Sequence, residues 1–305
     1  MTGFLDRLTV GPVLFDGAMG SMLLTAGLEL GAAPEVWNVE RPEVIKKIHH
    51  DYLAAGAEVL TTNTFGGTPL KLAAHGLAER CEELNFAGVR LAMAARAEFP
   101  DRGAFIAGDI GPCGKFFSPV GDLDQKSAAA SVQTQVEIFA AAGVDFFLIE
   151  TMVDLREAEI AVRTARQSSD IPVVVTMTFD KKWRGYFTIM GDKPSAAVRR
   201  LSDAGADVVG ANCTLAAPDM IELARILVAD SPLPILIQPN AGQPEMFDGQ
   251  AVYRVTPEEF AVDIKKILDT GVAAVGGCCG TTPEHIRAVA EHMHHGNVAG
   301  KTQVS

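Results

Sequence analysis

The strongest constraint on how this chain can fold is an alternation that runs its whole length. Short, β-branched apolar runs fall at Val13–Phe15, Glu58–Thr62, Ala104–Ala107, Asp145–Ile149, Pro172–Met177, Asp207–Ala211, Pro234–Ile237 and Val272–Val275. Amphipathic stretches separate them: Pro42–Ala55, Leu70–Glu98, Gln125–Ala142, Leu155–Gln167, Lys193–Ala204, Pro218–Val228, Pro257–Thr270 and Pro283–His292. Several open on Pro, which a helix tolerates in its first turn. Four near-copies mark the passage from helix to strand: Ala55-Gly56-Ala57-Glu58, Ala142-Gly143-Val144-Asp145, Ala204-Gly205-Ala206-Asp207 and Thr270-Gly271-Val272-Ala273. Each reads as a glycine C-cap followed at once by a strand. Strands alternating with helices imply a parallel sheet, and eight of each predict a single-domain α/β fold, a (β/α)8 TIM barrel. An open doubly wound sheet would carry the same local signature. The barrel is expected over residues 1–295, with a flexible tail at 296–305.

Composition narrows the function classes. The chain has 305 residues, 48% hydrophobic content and a formal net charge of −12. That charge, with no Lys/Arg cluster, argues against nucleic acid as a partner. No apolar run reaches the roughly 18 residues of a membrane span. The first residues show neither the basic nor the apolar region of a signal peptide. Five cysteines, an odd number in a long chain, point to thiols kept free in a reducing cytoplasm.

The most unusual local feature is Gly276-Gly277-Cys278-Cys279-Gly280-Thr281-Thr282-Pro283. Neighbouring side chains on a strand point to opposite faces. The two cysteines therefore converge only where the strand ends and glycine lets the backbone turn. A disulfide between neighbours would be strained, whereas a soft metal, Zn²⁺ first, suits two thiolates and needs a third ligand. In a barrel the chemistry gathers at the C-terminal strand ends. Cys213 ends strand six and the pair ends strand eight, so Cys213 is the expected third sulfur. Cys81, expected mid-helix, and Cys113, after strand three, are not. The same strand ends offer Asp16-Gly17, Thr62-Asn63-Thr64, Gly108-Asp109, Glu150-Thr151 and Gln238-Pro239-Asn240. Asp16 and Glu150 could also serve as helix caps. His285 is expected to be structural, and His292, His294 and His295 to lie on a solvated helix end.

Taken together, Asp16-Gly17-Ala18-Met19-Gly20, Thr62-Asn63-Thr64-Phe65, Gly108-Asp109-Ile110-Gly111-Pro112, Glu150-Thr151, Gly210-Ala211-Asn212-Cys213 and the cysteine-pair segment resemble the homocysteine S-methyltransferase family from about Val13 to His292. The resemblance implies a barrel with Zn²⁺ on Cys213, Cys278 and Cys279, which would form the catalytic centre. It implies that Asp16 and Glu150 hold the substrate amino acid, with N–H groups near Gly17 and Thr64 on its carboxylate. Gln238-Pro239-Asn240-Ala241-Gly242 is most similar to the homocysteine-binding module of cobalamin-dependent methionine synthase, which implies Asn240 as a weak fourth zinc ligand that substrate displaces.

Full methionine synthases continue into pterin- and corrinoid-binding modules. This sequence has no Asp-x-His-x-x-Gly corrinoid motif, so the methyl group is expected from methylcobalamin on a separate corrinoid protein or module. A small sulfonium such as S-methylmethionine is the alternative donor, and a non-catalytic zinc- or thiol-binding subunit of a corrinoid assembly is the alternative role. A phosphate cradle at Gly276–Gly280 is the weakest alternative, because thiolates repel phosphate.

The chemistry fits the ligand set. A free thiol has a pKa near 8.5 and is a poor nucleophile at neutral pH; on Zn²⁺ it loses its proton. Three thiolates and a substrate thiolate leave a net −2 that keeps electron density on sulfur. Three histidines would instead favour activation of water.

Overall fold

In the computed structural model, which describes residues 3–247 and 250–299, three of the four helix-to-strand phrases do what their composition requires. Gly56 and Gly205 end their helices at φ 112° and 106°, a left-handed region costly for any side chain, and Gly143 does the same at 85°; Gly271 is left-handed too, at 93°, but the expected cap fails there, because its helix already ends at Leu268 with Asp269 as a right-handed cap. The acid that follows staples the start of the preceding barrel strand. Asp145 Oδ2 accepts from the N–H of Ile106 at 2.6 Å and from Arg96 at 2.8 Å. Asp207 Oδ2 accepts from the N–H of Val173 at 2.8 Å and from Arg166. Glu58 accepts from the N–H of Leu14 at 3.3 Å and pairs with Arg7. The repeat thus caps one element and sets the register of the next.

Eight parallel strands result: β1 (Val13–Leu14), β2 (Val59–Thr61), β3 (Phe105–Ile110), β4 (Phe146–Met152), β5 (Val173–Met177), β6 (Val208–Ala216), β7 (Ile235–Asn240) and β8 (Ala274–Val275). They pair in sequence order, β8 pairs back to β1, and a parallel bridge from Phe15 to Val59 closes the ring. The expected (β/α)8 barrel is therefore the observed fold, in a single domain.

The N-terminal end of the barrel is stoppered by the short helix Phe4–Leu8, whose Phe4 packs among Phe15, Phe105 and Phe146. Among the described residues, no helix is long and apolar enough to cross a membrane.

Three expectations need correction. Leu70–Glu98 is not one helix. Gly76, at φ 70°, breaks it, leaving Pro69–Ala73, a 3₁₀ turn at Ala78–Arg80 and a helix at Cys81–Arg96. Cys81 accordingly opens a helix instead of lying within one, and its thiol donates to Gly67 O at 3.2 Å. Finally, the last helix runs from Pro283 to Ala299, past His292 and into the expected tail; residues 300–305, and the side chains of His294 and His295, lie outside the described residues.

Candidate active site: a thiol cluster and unpaired acids in one cavity

Two strands carry the site because both are bulged at their C-terminal ends. The β4–β5 register shifts between Ile149 and Met152, and the β6–β7 register shifts between Asn212 and Ala216. Within these bulges Thr151, Cys213 and Thr214 hold φ of 58°, 58° and 59°. Three non-glycine residues in the left-handed region are strained, and such strain collects where side chains are re-aimed for function. Asn212, fully buried, ties the bulges together. Its Oδ1 accepts from the N–H of Thr151 at 2.9 Å and from the Thr176 hydroxyl at 2.8 Å. Its Nδ2 donates to Thr151 Oγ1 at 2.7 Å and Glu150 Oε2 at 3.2 Å. Asn212 thereby sets the carboxylate of Glu150 beside the Cys213 turn.

The adjacent cysteines converge through a tight turn. The N–H of Thr281 donates to Cys278 O at 3.1 Å, and Gly280 takes φ 80°, as the third position of a type II turn demands. The turn is fastened on both sides. The N–H of Gly277 donates to Asp16 O at 3.0 Å, that of Cys278 to Pro239 O at 2.8 Å, and that of Ala241 to Cys279 O at 2.9 Å. Thr281 Oγ1 accepts from the N–H of Ala18 at 3.0 Å and donates to Cys278 O at 2.7 Å. At Gly17 a Cβ would stand 2.6 Å from that hydroxyl, so only glycine fits beneath the turn.

These constraints bring Cys213, Cys278 and Cys279 together, with their sulfurs all within 4.8 Å of one another. Cys213 Sγ lies 3.7 Å from Cys279 Sγ, far beyond a disulfide bond length of about 2.05 Å. Tetrahedral thiolates at about 2.3 Å from a metal would lie about 3.8 Å apart, so the cluster has the spacing to hold one. The neighbouring thiols let Cys279 ionise, pulling it down to about 3, and hold Cys278 well above the ordinary thiol range. Tyr253 packs its ring against Gly280, beside the cysteine pair. Cys113 is elsewhere, buried among Phe117, Leu123 and Ala128. His285 is structural, as expected: Nδ1 accepts from the N–H of Thr282 at 3.2 Å, which leaves Nε2–H to Val255 O at 2.9 Å.

The thiols line a cavity of about 370 Å³ whose other walls include Asp16, Glu35, Asp109 and Glu150 and, among the described residues, no Lys, Arg or His. Asp16 accepts from the N–H of Thr61 at 2.7 Å and from its hydroxyl at 2.8 Å. Burial still pushes its pKa up to about 7. Burial likewise raises Glu150, to about 8, with the nearby thiol of Cys213 adding to the effect. Asp109 is held well above its usual range, by burial first and then by Glu150 and Asp16; its Oδ1 has no protein partner. Glu35 is raised too, by burial, although its Oε1 accepts from the N–H of Gly66 at 2.6 Å. A buried acid set with no cation opposite it is a receptor for positive charge.

Asp16, Gly17 and Glu150 therefore line the cavity with the thiols. Thr64 does not. It is fully buried, its N–H donates to Thr62 O at 2.9 Å and its hydroxyl to Asp109 O at 2.9 Å. Thr64 shapes the β2 loop, while its neighbours Asn63 and Phe65 face the cavity. Asn240 ends β7 with Oδ1 unpartnered, and Gln238, on the cavity wall, has an unpartnered Oε1. Reasoning from sequence alone did not assign roles to Asp109, Glu35, Asn212 or Tyr253. Asp109 and Asn212, both at strand ends within quoted motifs, carried a signal in the sequence; Glu35 and Tyr253 carried none.

With fold and site in view, the class of protein can be stated. The family model for homocysteine S-methyltransferases matches residues 13–293, and the chain belongs to that family. The methionine synthase of Mycobacterium tuberculosis is 32% identical over 304 residues, and that of Mycobacterium leprae 31% over 303. Each alignment covers 95% of this chain but 25% of the relative, so the chain spans about a quarter of their length. Among solved structures, the metallated homocysteine methyltransferase MmuM of Escherichia coli superposes with a TM-score of 0.76 at 25% identity, covering 92% of this chain and 96% of MmuM.

Proposed function

We propose that this chain transfers a methyl group to the thiol of homocysteine, giving methionine, with Zn²⁺ held by Cys213, Cys278 and Cys279. One observation carries the reading: three convergent thiols and an unpaired acid set share one cavity. That pairing suits a metal ion and a zwitterionic amino acid bearing a thiol. When bound, Zn²⁺ supplies the acidity that strips the substrate thiol at neutral pH, while a ligand set made of thiolates preserves the nucleophilicity of sulfur.

The protein's own groups do the rest. Asp16 and Glu150, with Asp109 beside them, take the substrate ammonium, which favours their ionised forms and displaces the protons that burial holds on them. The N–H of Gly17 and those of the β2 loop receive the carboxylate, with Thr64 holding that loop in place. Asn240, at the end of the strand between β6 and β8, would offer the metal a weak fourth ligand that substrate could replace; its unpartnered Oδ1 supports this. Held in this way, the thiol sulfur attacks the methyl carbon, the new C–S bond forms as the carbon–donor bond breaks, and the bonding pair leaves with the donor. The thiol proton passes to solvent, so no positioned acid is needed. A reducing cytoplasm keeps the three cysteines free.

The methyl donor in this reading is methylcobalamin on a corrinoid protein or module, supported by the similarity to methionine synthases. A second reading has its own support: MmuM, a homocysteine methyltransferase, is spanned over 96% of its length, which favours a small sulfonium donor such as S-methylmethionine. Incubating the zinc-loaded chain with homocysteine and each donor separately, with methionine measured by mass spectrometry, separates them. Methionine from methylcobalamin is the expected result. Methionine from S-methylmethionine alone would move the donor, and none from any donor would leave a non-catalytic subunit.

A further inference from the structure

The acids of the cavity answer one half of a zwitterion, and the other half needs donors. A carboxylate entering among Asp16, Glu35, Asp109 and Glu150 meets no Lys, Arg or His among the described residues. It has to be held by neutral N–H and O–H groups. Among the described residues, only two side chains on the cavity wall carry an N–H, those of Asn63 and Gln238. The Asn63 amide is taken: Nδ2 donates to Pro34 O and to Asn38 Oδ1, both at 2.9 Å. The hydroxyls of Thr61 and Thr62 are taken too, by Asp16 at 2.8 Å and by Thr64 at 2.7 Å. Gln238 is only 3% exposed, yet its Oε1 has no partner and no described residue accepts from its Nε2. A buried carboxamide bonded through neither end is costly in a folded protein. Here it stands on the wall of the ligand cavity.

The backbone fixes where that amide sits. Gln238 lies in β7, in register with Asn212 of β6. On its other side, the N–H of Gly276 donates to Ile237 O at 3.1 Å and that of Cys278 to Pro239 O at 2.8 Å, so Gln238 is clamped between two bonds. Its side chain passes over Gly276, across the end of β8. A Cβ on Gly276 would stand 3.2 Å from Gln238 Cγ, 3.0 Å from Asp16 O and 2.7 Å from Phe15 Cβ. Glycine therefore leaves the gap through which the Gln238 stem points toward the end of β1. The Asp16–Gly17 peptide lies at that end, and the N–H of Gly17 donates to no described residue. Two unused N–H donors thus flank Gly276, one from β7 and one from β1. A glutamate at 238 would add a fifth acid to the wall, whereas the amide is neutral and donates.

We propose that Gln238 is a specificity-determining residue: its Nε2 and the N–H of Gly17 receive the α-carboxylate of the substrate, so the site selects an amino acid over an aminothiol that lacks the carboxylate. The inference rests on the reading of this cavity as an amino-acid site. Rotation about the last bond of the side chain is soft, so the amide turns its N–H to the ligand while the stem stays in place. With the ammonium held by the acids and the carboxylate by Gln238, the remaining arm of the substrate is directed to the thiol cluster.

The test compares the wild type with Gln238→Met, which keeps the length of the side chain without its N–H, and with Gln238→Glu, which puts an acid in its place. Two ligands are titrated by calorimetry into the chain with and without Zn²⁺: methionine, and methylthiopropylamine, which is methionine without its carboxylate. The wild type should bind methionine more tightly than the amine. In Gln238→Met the Kd for methionine should rise about tenfold, while that for the amine stays unchanged. In Gln238→Glu the loss for methionine should reach about 100-fold, because the acid repels the carboxylate, and the amine should bind at least as well as before. KM for homocysteine should follow the methionine values with kcat little changed. An equal loss for both ligands makes Gln238 a support of the cavity wall and overturns the assignment. No loss for either ligand does the same, as does a wild type that fails to distinguish the two. A wild type that binds neither methionine nor homocysteine overturns the amino-acid reading itself.

Discussion

The two ends of the barrel are built from the same eight strands and could hardly be more different. At the N-terminal end, Phe4 stacks on Phe146 with centroids 4.0 Å apart and meets Phe105 and Phe15 edge-on at 5.6 and 6.1 Å. Val13, Val59, Leu148, Val174, Val208 and Leu236 complete a wholly apolar plug. At the C-terminal end, buried acids, three thiols and the orphaned Oδ1 of Asp109 face a cavity with no countercharge. One end is satisfied by the chain itself, and the other is satisfied only by what binds. In such barrels stability concentrates at the first kind of end and chemistry at the second. Substitutions at the two ends should therefore separate folding from function.

The largest effect is expected at the thiols. Cys278→Ala or Cys213→Ala should cut bound zinc, measured by plasma mass spectrometry, from near one per chain to near zero. Methyl transfer should fall by more than about 100-fold, since even outer-shell changes at metal sites cost 10–100-fold. The melting temperature of the metal-free chain should scarcely move. Full zinc content in either variant would remove the metal assignment, and loss of fold would end the separation between the two ends.

The opposite end gives the mirror experiment. Phe4→Ala removes a buried ring from the plug and should cost about 3 kcal/mol, lowering the melting temperature by several degrees. Zinc content and the KM for homocysteine should stay at wild-type values. A change in either would mean that the plug and the cavity are mechanically coupled through the strands.

A subtler effect should join gain with loss. Asp109 is a buried acid whose Oδ1 meets no donor and whose proton is held well above the usual carboxylate range, so Asp109→Asn removes the cost of keeping a carboxyl in the empty cavity. The ligand-free chain should become more stable by about 1 kcal/mol, while KM for homocysteine rises about tenfold. Glu150→Gln should also raise KM or lower kcat. Wild-type kinetics in both would end the role of these acids in holding the ammonium.

How much of this was legible in the sequence follows from which physics is local. Every barrel strand was visible, because each is a short apolar run between amphipathic stretches, and four of them follow one of the near-copied glycine phrases. The cysteine pair was legible because adjacent thiols between glycines have few other uses. The break at Gly76 was missed because a lone glycine is compatible with a continuous helix until its φ is known. The hairpins at Asp180–Phe187 and Glu245–Val252 were missed because their strands are only three residues long, too short for a readable alternation. Glu35 and Asn212 could not be chosen over other polar residues, since their importance comes from burial and from partners far along the chain. Thr64 illustrates the converse: it sits inside a recognisable motif, but its N–H is already spent within the β2 loop.

The smallest effect, and the finest comparison of the two ends, lies in pH. Asp16 has its pKa raised to about 7 by burial, against about 3.9 in an unfolded chain. The folded state therefore binds the proton more tightly, and its advantage is complete below the unfolded value and lost as pH rises through 7. This is the reverse of a carboxylate held in a salt bridge. The metal-free, ligand-free chain should then lose melting temperature between about pH 4 and 7 and level off above, and Asp16→Asn should flatten that slope. The apolar plug has nothing to titrate, so Phe4→Ala should lower the curve without changing its shape. An ammonium ligand favours the ionised acid and pulls the proton off, so methionine should bind more tightly at pH 8 than at pH 6 and release protons as it binds. Calorimetry in two buffers of different ionisation enthalpy would count those protons. A proton count of zero, with the same affinity at both pH values, would show that the cavity acids are already ionised and do not await the substrate's charge.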